Sequence, residues 1–202
     1  MEKQYVNRRE EEYDILFGVI NRFIGYFTRQ ALPATTNDTT KEYPFVAMDT
    51  RQAYEQIRLA RDFLIHAGSA PDHLSFIDIG CGIGNILLIA EMMGFNVFGI
   101  EKDSASLTTA RQLVGEESVK ETDIWDFTEL SSFDIIYYFR PFCTKKAQLA
   151  FEQHIENSLK PGGILIANRK MGTSLDSGTR FSRLSPEWPV WHKNSHEEHI
   201  TI

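Results

Sequence analysis

The residues with the most chemistry to offer are acids placed beside glycines. Asp78 ends an apolar run in FIDIGCGIGN (76–85), and Gly80, Gly82 and Gly84 follow at every second position. Glu101 closes a second apolar run, NVFGIE, and Asp123 follows a third stretch in ETDIWDF. A strand that breaks into glycines and leads into a helix makes a tight turn at the carboxyl end of a sheet, where open α/β sheets bind ligands. Glycines there permit positive φ and let a ligand lie against bare backbone. The dinucleotide fingerprint wants glycine at its first, third and sixth positions. Here those positions hold Gly80, Gly82 and Asn85, so the last glycine is missing. Asp78 is also a poor neighbour for a pyrophosphate. Two like charges in a sheltered site repel by about 4 kcal/mol at an effective dielectric of about 20.

A carboxylate at this turn fits a ligand with a cationic end. S-adenosylmethionine has an ammonium and a sulfonium and no phosphate. Asp78, Gly80, Cys81, Gly82 and Asn85 are expected along it. Glu101, 17 residues beyond Gly84, would hold the ribose hydroxyls, with Lys102 adjacent. Asp123 would accept from an adenine amine, with Asp126 as the competing acid. The Ile124 N–H would meet a ring nitrogen, and Ile83 and Ile124 would sandwich the ring.

Elements must hold these groups in place. LSFIDI (74–79), NVFGIE (96–101), SVKET (118–122), FDIIYYF (133–139) and GILIAN (163–168) read as buried strands. Helical stretches lie between them near 85–93, 104–114 and 145–159. Strands alternating with helices imply a parallel sheet covered on both faces. A hairpin is expected around Pro186 and Glu187. Before the sheet, apolar residues recur at helical steps over 8–30, from Tyr13 and Leu16 to Phe27, which predicts a helix packed on the main body. The polar, proline-bounded LPATTNDTTKEYPF has the length of a lid or a disordered loop. A second helix is predicted from Thr50 to His66, capped by Asp49 or Thr50 and stopped by Gly68 and Pro71.

The sequence resembles the class I S-adenosylmethionine-dependent methyltransferases. FIDIGCGIGN, VFGIEKD, TDIWDF, FDIIYYF and LKPGGILIA carry the resemblance, in order and at family spacing over residues 75–167. It implies a Rossmann-like, doubly wound, mostly parallel seven-stranded sheet in the order 3-2-1-4-5-7-6. It also implies S-adenosyl-L-methionine as cofactor and a methyl-transfer activity. Tyr138, at the fourth-strand exit, is added to the cofactor contacts on this ground. A helix usual between the fifth and sixth strands is hard to find in KMGTSLDSGT. Residues 1–48 are read as a helical cap and loop, and 49–202 as the cofactor-binding domain.

The acceptor side is less specific. The exit YYFRPF (137–142) lacks the Asn-Pro-Pro-Tyr of enzymes that methylate bases or glutamine. Phe139, Arg140 and Phe142 are candidates for the substrate pocket, with Tyr43 and Phe45 from the preceding segment as further walls. Arg140 would receive an acidic substrate group or pair on the surface. YPFVAMDT with this exit is faintly similar to non-SET protein-lysine methyltransferases. No catalytic residue is assigned. Rival readings are a cofactor-binding regulatory subunit and a nicotinamide-dependent oxidoreductase.

Bulk properties narrow the field. The chain has 202 residues and a net charge of −7. From Asp134 onward nine Lys/Arg face seven Asp/Glu, so the preceding part carries −9. That argues against an extended nucleic acid partner, which rewards many phosphate contacts, and leaves a small molecule or a protein as acceptor. Two distant cysteines, Cys81 and Cys143, and a charged start without a leader pattern point to a cytoplasmic protein. No apolar run is long enough to span a membrane. His192, His196 and His199 read as a solvated tail, with no metal site expected.

Overall fold

The computed structural model describes residues 2–176 and 178–195, with residues 2–10 and Leu32 described by their backbone alone. Seven strands form one sheet in the order β3-β2-β1-β4-β5-β7-β6, as the resemblance implied. They are β1 (Ser75–Ile79), β2 (Asn96–Glu101), β3 (Val119–Glu121), β4 (Ile135–Phe139), β5 (Ile164–Asn168), β6 (Phe181–Arg183) and β7 (Val190–Lys193). The first five pair in parallel, and β7 runs antiparallel to both β5 and β6. The expected hairpin is therefore present, with Ser182 opposite His192.

Helices cover the sheet. These are α1 (Glu2–Ala34), α2 (Thr50–His66), α3 (Asn85–Met92), α4 (Ser104–Val114) and α5 (Lys145–Ser158). The bounds of α2 match the sequence reading, and its start is fixed as expected. The Asp49 carboxylate accepts from the Gln52 N–H at 2.9 Å. Two apolar layers result. Phe76, Ile135, Tyr137, Ile164 and Ile166 face one cluster with α2, α3 and α4. Ile77, Ile79, Ile136, Tyr138 and Leu165 face the other, with Phe151 and Ile155 of α5. Adjacent residues of a strand point to opposite faces, so each strand feeds both layers.

The first helix is longer than expected. Phe17, Ile20 and Ile24 pack on Ile83 in a small separate cluster, and the Tyr13 and Phe17 rings meet Tyr54 of α2 at a tilt and edge-on. Between β5 and β6 no helix forms among the described residues; the chain turns irregularly through 169–176 and 178–180. No helix of the described residues is long and apolar enough to cross a membrane.

Candidate functional site

A cavity of about 360 Å³ opens at the carboxyl ends of β1, β2 and β4. Sites of small molecules in proteins start at about this size. The glycine turn forms its floor. Gly80, Gly82 and Gly84 all have positive φ, as the unbranched turn requires. Gly80 and Cys81 donate their N–H groups to the Ile100 carbonyl, which ties the turn to β2.

Asp78 stands just before the turn and is 3% exposed. Burial pushes its pKa well above the usual aspartate value, and the nearby Glu101 pushes it the same way. Among the described residues no cation or hydrogen bond offsets the rise. Glu101 is also buried, and its pKa is raised, first by burial. Three backbone N–H groups counter that rise in part: Gly82 at 2.9 Å on one oxygen, Lys102 at 2.8 Å and Asp103 at 2.9 Å on the other. Glu101 thus braces the glycine turn as well as facing the cavity.

Two buried acids side by side have a measurable consequence. An acid whose folded pKa is raised contributes stability below its unfolded pKa, near 3.8, and loses it as pH climbs through the folded pKa. Asp78→Asn removes that liability. The variant, without ligand, should melt above the wild type at neutral pH, and the gap should close as pH falls toward the aspartate range. Melting curves across that range check it; a gap that is absent or independent of pH would mean that the folded pKa of Asp78 is not raised.

The remaining candidates fall as follows. Gly80, Cys81, Gly82, Asn85, Glu101, Lys102, Asp123 and Ile124 all line the cavity, as do Phe139, Arg140 and Phe142. The Lys102 ammonium pairs with Glu42 and lies 3.5 Å from the Asp123 carboxylate. Asp126 is exposed and outside the lining, so Asp123 is the acid at this edge. Cys81 is buried, and its thiol pKa is pushed up by burial and by Glu101 and Asp78, which makes it a poor nucleophile.

Three placements differ from the sequence reading. Tyr138 does not line the cavity: it points to the α5 face and packs edge-on against Phe151 at 5.0 Å. Tyr137 lines it instead, because Tyr137 pairs with Asp78 and shares its face of the sheet. Ile83 also leaves the site; it is fully buried beneath α1. His192 lies in β7, its ring 4.9 Å from Phe63, whereas His196 and His199 fall outside the described residues.

Sequence reasoning missed several lining residues. Tyr137, Asp103, Ser106, Thr122 and Arg169 are among them. The segment 35–49 crosses the cavity as a strap. Thr36 donates its N–H and its hydroxyl to Asp103, at 3.0 and 3.2 Å. At the other end the Tyr43 N–H donates to the Pro141 carbonyl, and the Cys143 N–H to the Lys41 carbonyl, both at 2.9 Å. Tyr43 and Phe45 line the cavity as expected, and the Phe45 ring rests directly on Gly82. Several polar atoms at the cavity are buried without partners: Asn85 Nδ2, the Tyr137 hydroxyl and Arg140 Nε.

Comparison with known proteins supports the same architecture. A model of a family described as a methyltransferase domain matches residues 71–186. No curated protein matches the chain. Among solved structures, the 16S rRNA N2 G1207 methyltransferase RsmC of T. thermophilus, in complex with AdoMet and guanosine, is 22% identical with a TM-score of 0.53; the match covers 77% of this chain and 45% of that one. An RNA methyltransferase from Salinibacter ruber, in complex with S-adenosyl-L-homocysteine, is 16% identical with a TM-score of 0.47, covering 68% and 91%. The plantazolicin methyltransferase BpumL is 18% identical with a TM-score of 0.45, covering 58% and 46%. The chain thus spans about half the length of RsmC and of BpumL. With the family model covering more than half of its residues, and with its sheet order and glycine turn, the chain belongs to the methyltransferase-domain family.

Proposed function

We propose that the chain is an S-adenosyl-L-methionine-dependent methyltransferase. The observation that carries this reading is Asp78, a buried acid whose charge no cation among the described residues offsets, set against a bare glycine turn. A cationic ligand relieves it; a pyrophosphate aggravates it. The donor and acceptor set fits the rest of the cofactor. Asp78 would take the cationic amino-acid end, with the backbone of Gly80, Cys81 and Gly82 and the side chain of Asn85 alongside. Glu101 would accept from the ribose hydroxyls. Asp123 and Ile124, with Lys102 at the rim, would hold the adenine.

When bound, the cofactor supplies an electrophilic methyl group on a sulfonium. The chain's own residues position the acceptor against it, which accounts for much of the rate in such displacements. Phe139, Phe142 and Tyr43 form an aromatic wall, and the Tyr137 hydroxyl points to a hydrogen-bonding role. Burial and Asp78 push the pKa of that hydroxyl well up, so it donates rather than acting as a base. Residues 1–48 act as a cap in this reading. Its helix packs against α2, α4 and Ile83, and its strap, through Phe45 on Gly82, is the part placed to open and exclude water. The acceptor is a small molecule or a protein, since the acid-rich side of the cavity disfavours extended nucleic acid. Two free thiols accord with a cytoplasmic location.

The test is ligand-induced stabilisation. S-adenosylhomocysteine at about 100 times its dissociation constant should add about 2.7 kcal/mol, visible as a rise in melting temperature, and NAD should add none. A shift with NAD and none with the adenosyl ligand would replace this reading with the oxidoreductase.

A further inference from the structure

The cavity is divided by charge. Glu42, Asp78, Glu101, Asp103 and Asp123 line the side of β1, β2 and β3, and Lys102 there is already paired. On the side of β4 and β5 stand Arg140 and Arg169. These two follow directly on Phe139 and Asn168, which are paired partners on adjacent strands, so they leave the sheet side by side. The Arg140 N–H donates to the Asn168 carbonyl at 3.2 Å. Among the described residues neither guanidinium pairs with a carboxylate. Arg140 instead lies over the Tyr43 ring at 5.4 Å, with its Nε buried and without a partner.

Arg169 is held at some cost. It is the one non-glycine residue of the described chain with positive φ, at 58°. Such a conformation persists only when neighbours enforce it, and it clusters at ligand sites. Both neighbours are locked. Asn168 exchanges two hydrogen bonds with Gln56, each 3.0 Å, and all four atoms are buried. Lys170 is buried between Glu152 and Glu156 at 3.2 and 3.0 Å. The chain therefore presents an arginine at the cavity mouth where glycine is the easy choice.

Resting on the methyltransferase reading, we infer that Arg140 and Arg169 bind an anionic group of the methyl acceptor. The pair takes a carboxylate or a phosphate, which guanidinium groups grip through forked, charge-assisted hydrogen bonds. The aromatic wall of Phe139, Phe142 and Tyr43 takes the acceptor's body. The acids opposite repel the same anion, which fixes the acceptor's orientation across the cavity.

The experiment uses the full chain and begins with calorimetry of S-adenosylhomocysteine. Absence of that binding would fail the methyltransferase reading itself. With the ligand bound, the protein is titrated with benzoate, phenyl phosphate and benzamide. At least one of the two anions should bind about tenfold or more tightly than benzamide, and the tighter of them identifies the group. Arg140→Gln and Arg169→Gln should each weaken that anion about tenfold, with affinity for S-adenosylhomocysteine held within about twofold. Arg169→Gly, which relieves the left-handed backbone, should melt no lower than wild type and still lose the anion. Benzamide binding as tightly as the anions, no saturable anion binding, or anion affinity unchanged in the arginine variants would each overturn the assignment.

Discussion

Gly82→Val should abolish the stabilisation that S-adenosylhomocysteine gives and should destabilise the unliganded chain as well. Two penalties add. The residue sits at φ 55°, where a β-branched side chain is strained by about 1–2 kcal/mol. A Cβ built there would stand 2.1 Å from Phe45 Cδ2, far inside contact distance. Overpacking of this kind costs about 1–3 kcal/mol when a neighbour must move. Phe45 belongs to the strap, so the clash is relieved not by a shift of the sheet but by displacement of the strap from the turn. The variant should thus lose about 2–5 kcal/mol in urea unfolding and show no thermal shift with the ligand. Adding Phe45→Ala removes the clash but not the backbone strain, so the double variant should recover part of the stability and none of the binding. A single variant that keeps the ligand-induced shift would mean that the ligand does not approach this turn.

The glycine turn and its acids were legible because each demands a residue type at a fixed place. A buried carboxylate, a positive φ and a strand end leave marks in the sequence that need no neighbour to interpret. The choice between Tyr137 and Tyr138 left none. Both lie in a sheet covered on both faces, both are buried and both are apolar in bulk, so alternation gives no phase. Only the pairing of Tyr137 with Asp78 settles which faces the cavity. Ile83 was misplaced for a similar reason: its burial depends on α1, which returns from far away in the chain to cover it. The strap was legible as a loop of lid length but not in its course, since its anchors, Thr36 on Asp103 and Tyr43 on Pro141, are long-range. Arg169 gave no signal at all. Its conformation is set by locked neighbours, not by its own preference.

The missing helix after β5 leads to the other large effect. In its place the chain is pinned by a buried polar network centred on Lys170. The Lys170 ammonium donates to the Gly172 carbonyl at 2.7 Å and the Ser174 hydroxyl at 3.1 Å, besides its pairs with Glu152 and Glu156. Glu152 also accepts from the Met171 and Gly172 N–H groups, each at 2.7 Å, and from Gln148 at 2.9 Å. Gln148 in turn accepts from the Phe142 N–H at 3.2 Å, so one network holds the loops after both β4 and β5. Burial raises the Glu152 pKa, but these bonds outweigh it and leave the group below its usual value. Lys170→Met fills similar space and removes the cation that pairs with both carboxylates. Glu152 and Glu156, with side chains 2% and 7% exposed, are then left buried and unpaired. The expected loss is about 3–5 kcal/mol at neutral pH, the cost of stranding a buried charge. The sign of its pH dependence follows. Without the cation the folded pKa of Glu152 rises above its unfolded value, so the deficit should shrink as pH falls toward 4.5, the usual glutamate value. Urea unfolding of both proteins at neutral and at acidic pH measures this. A loss below about 1 kcal/mol, or a deficit that does not change with pH, would mean that the cluster behaves as a solvated surface pair and does not hold Arg169 and Phe142 in place.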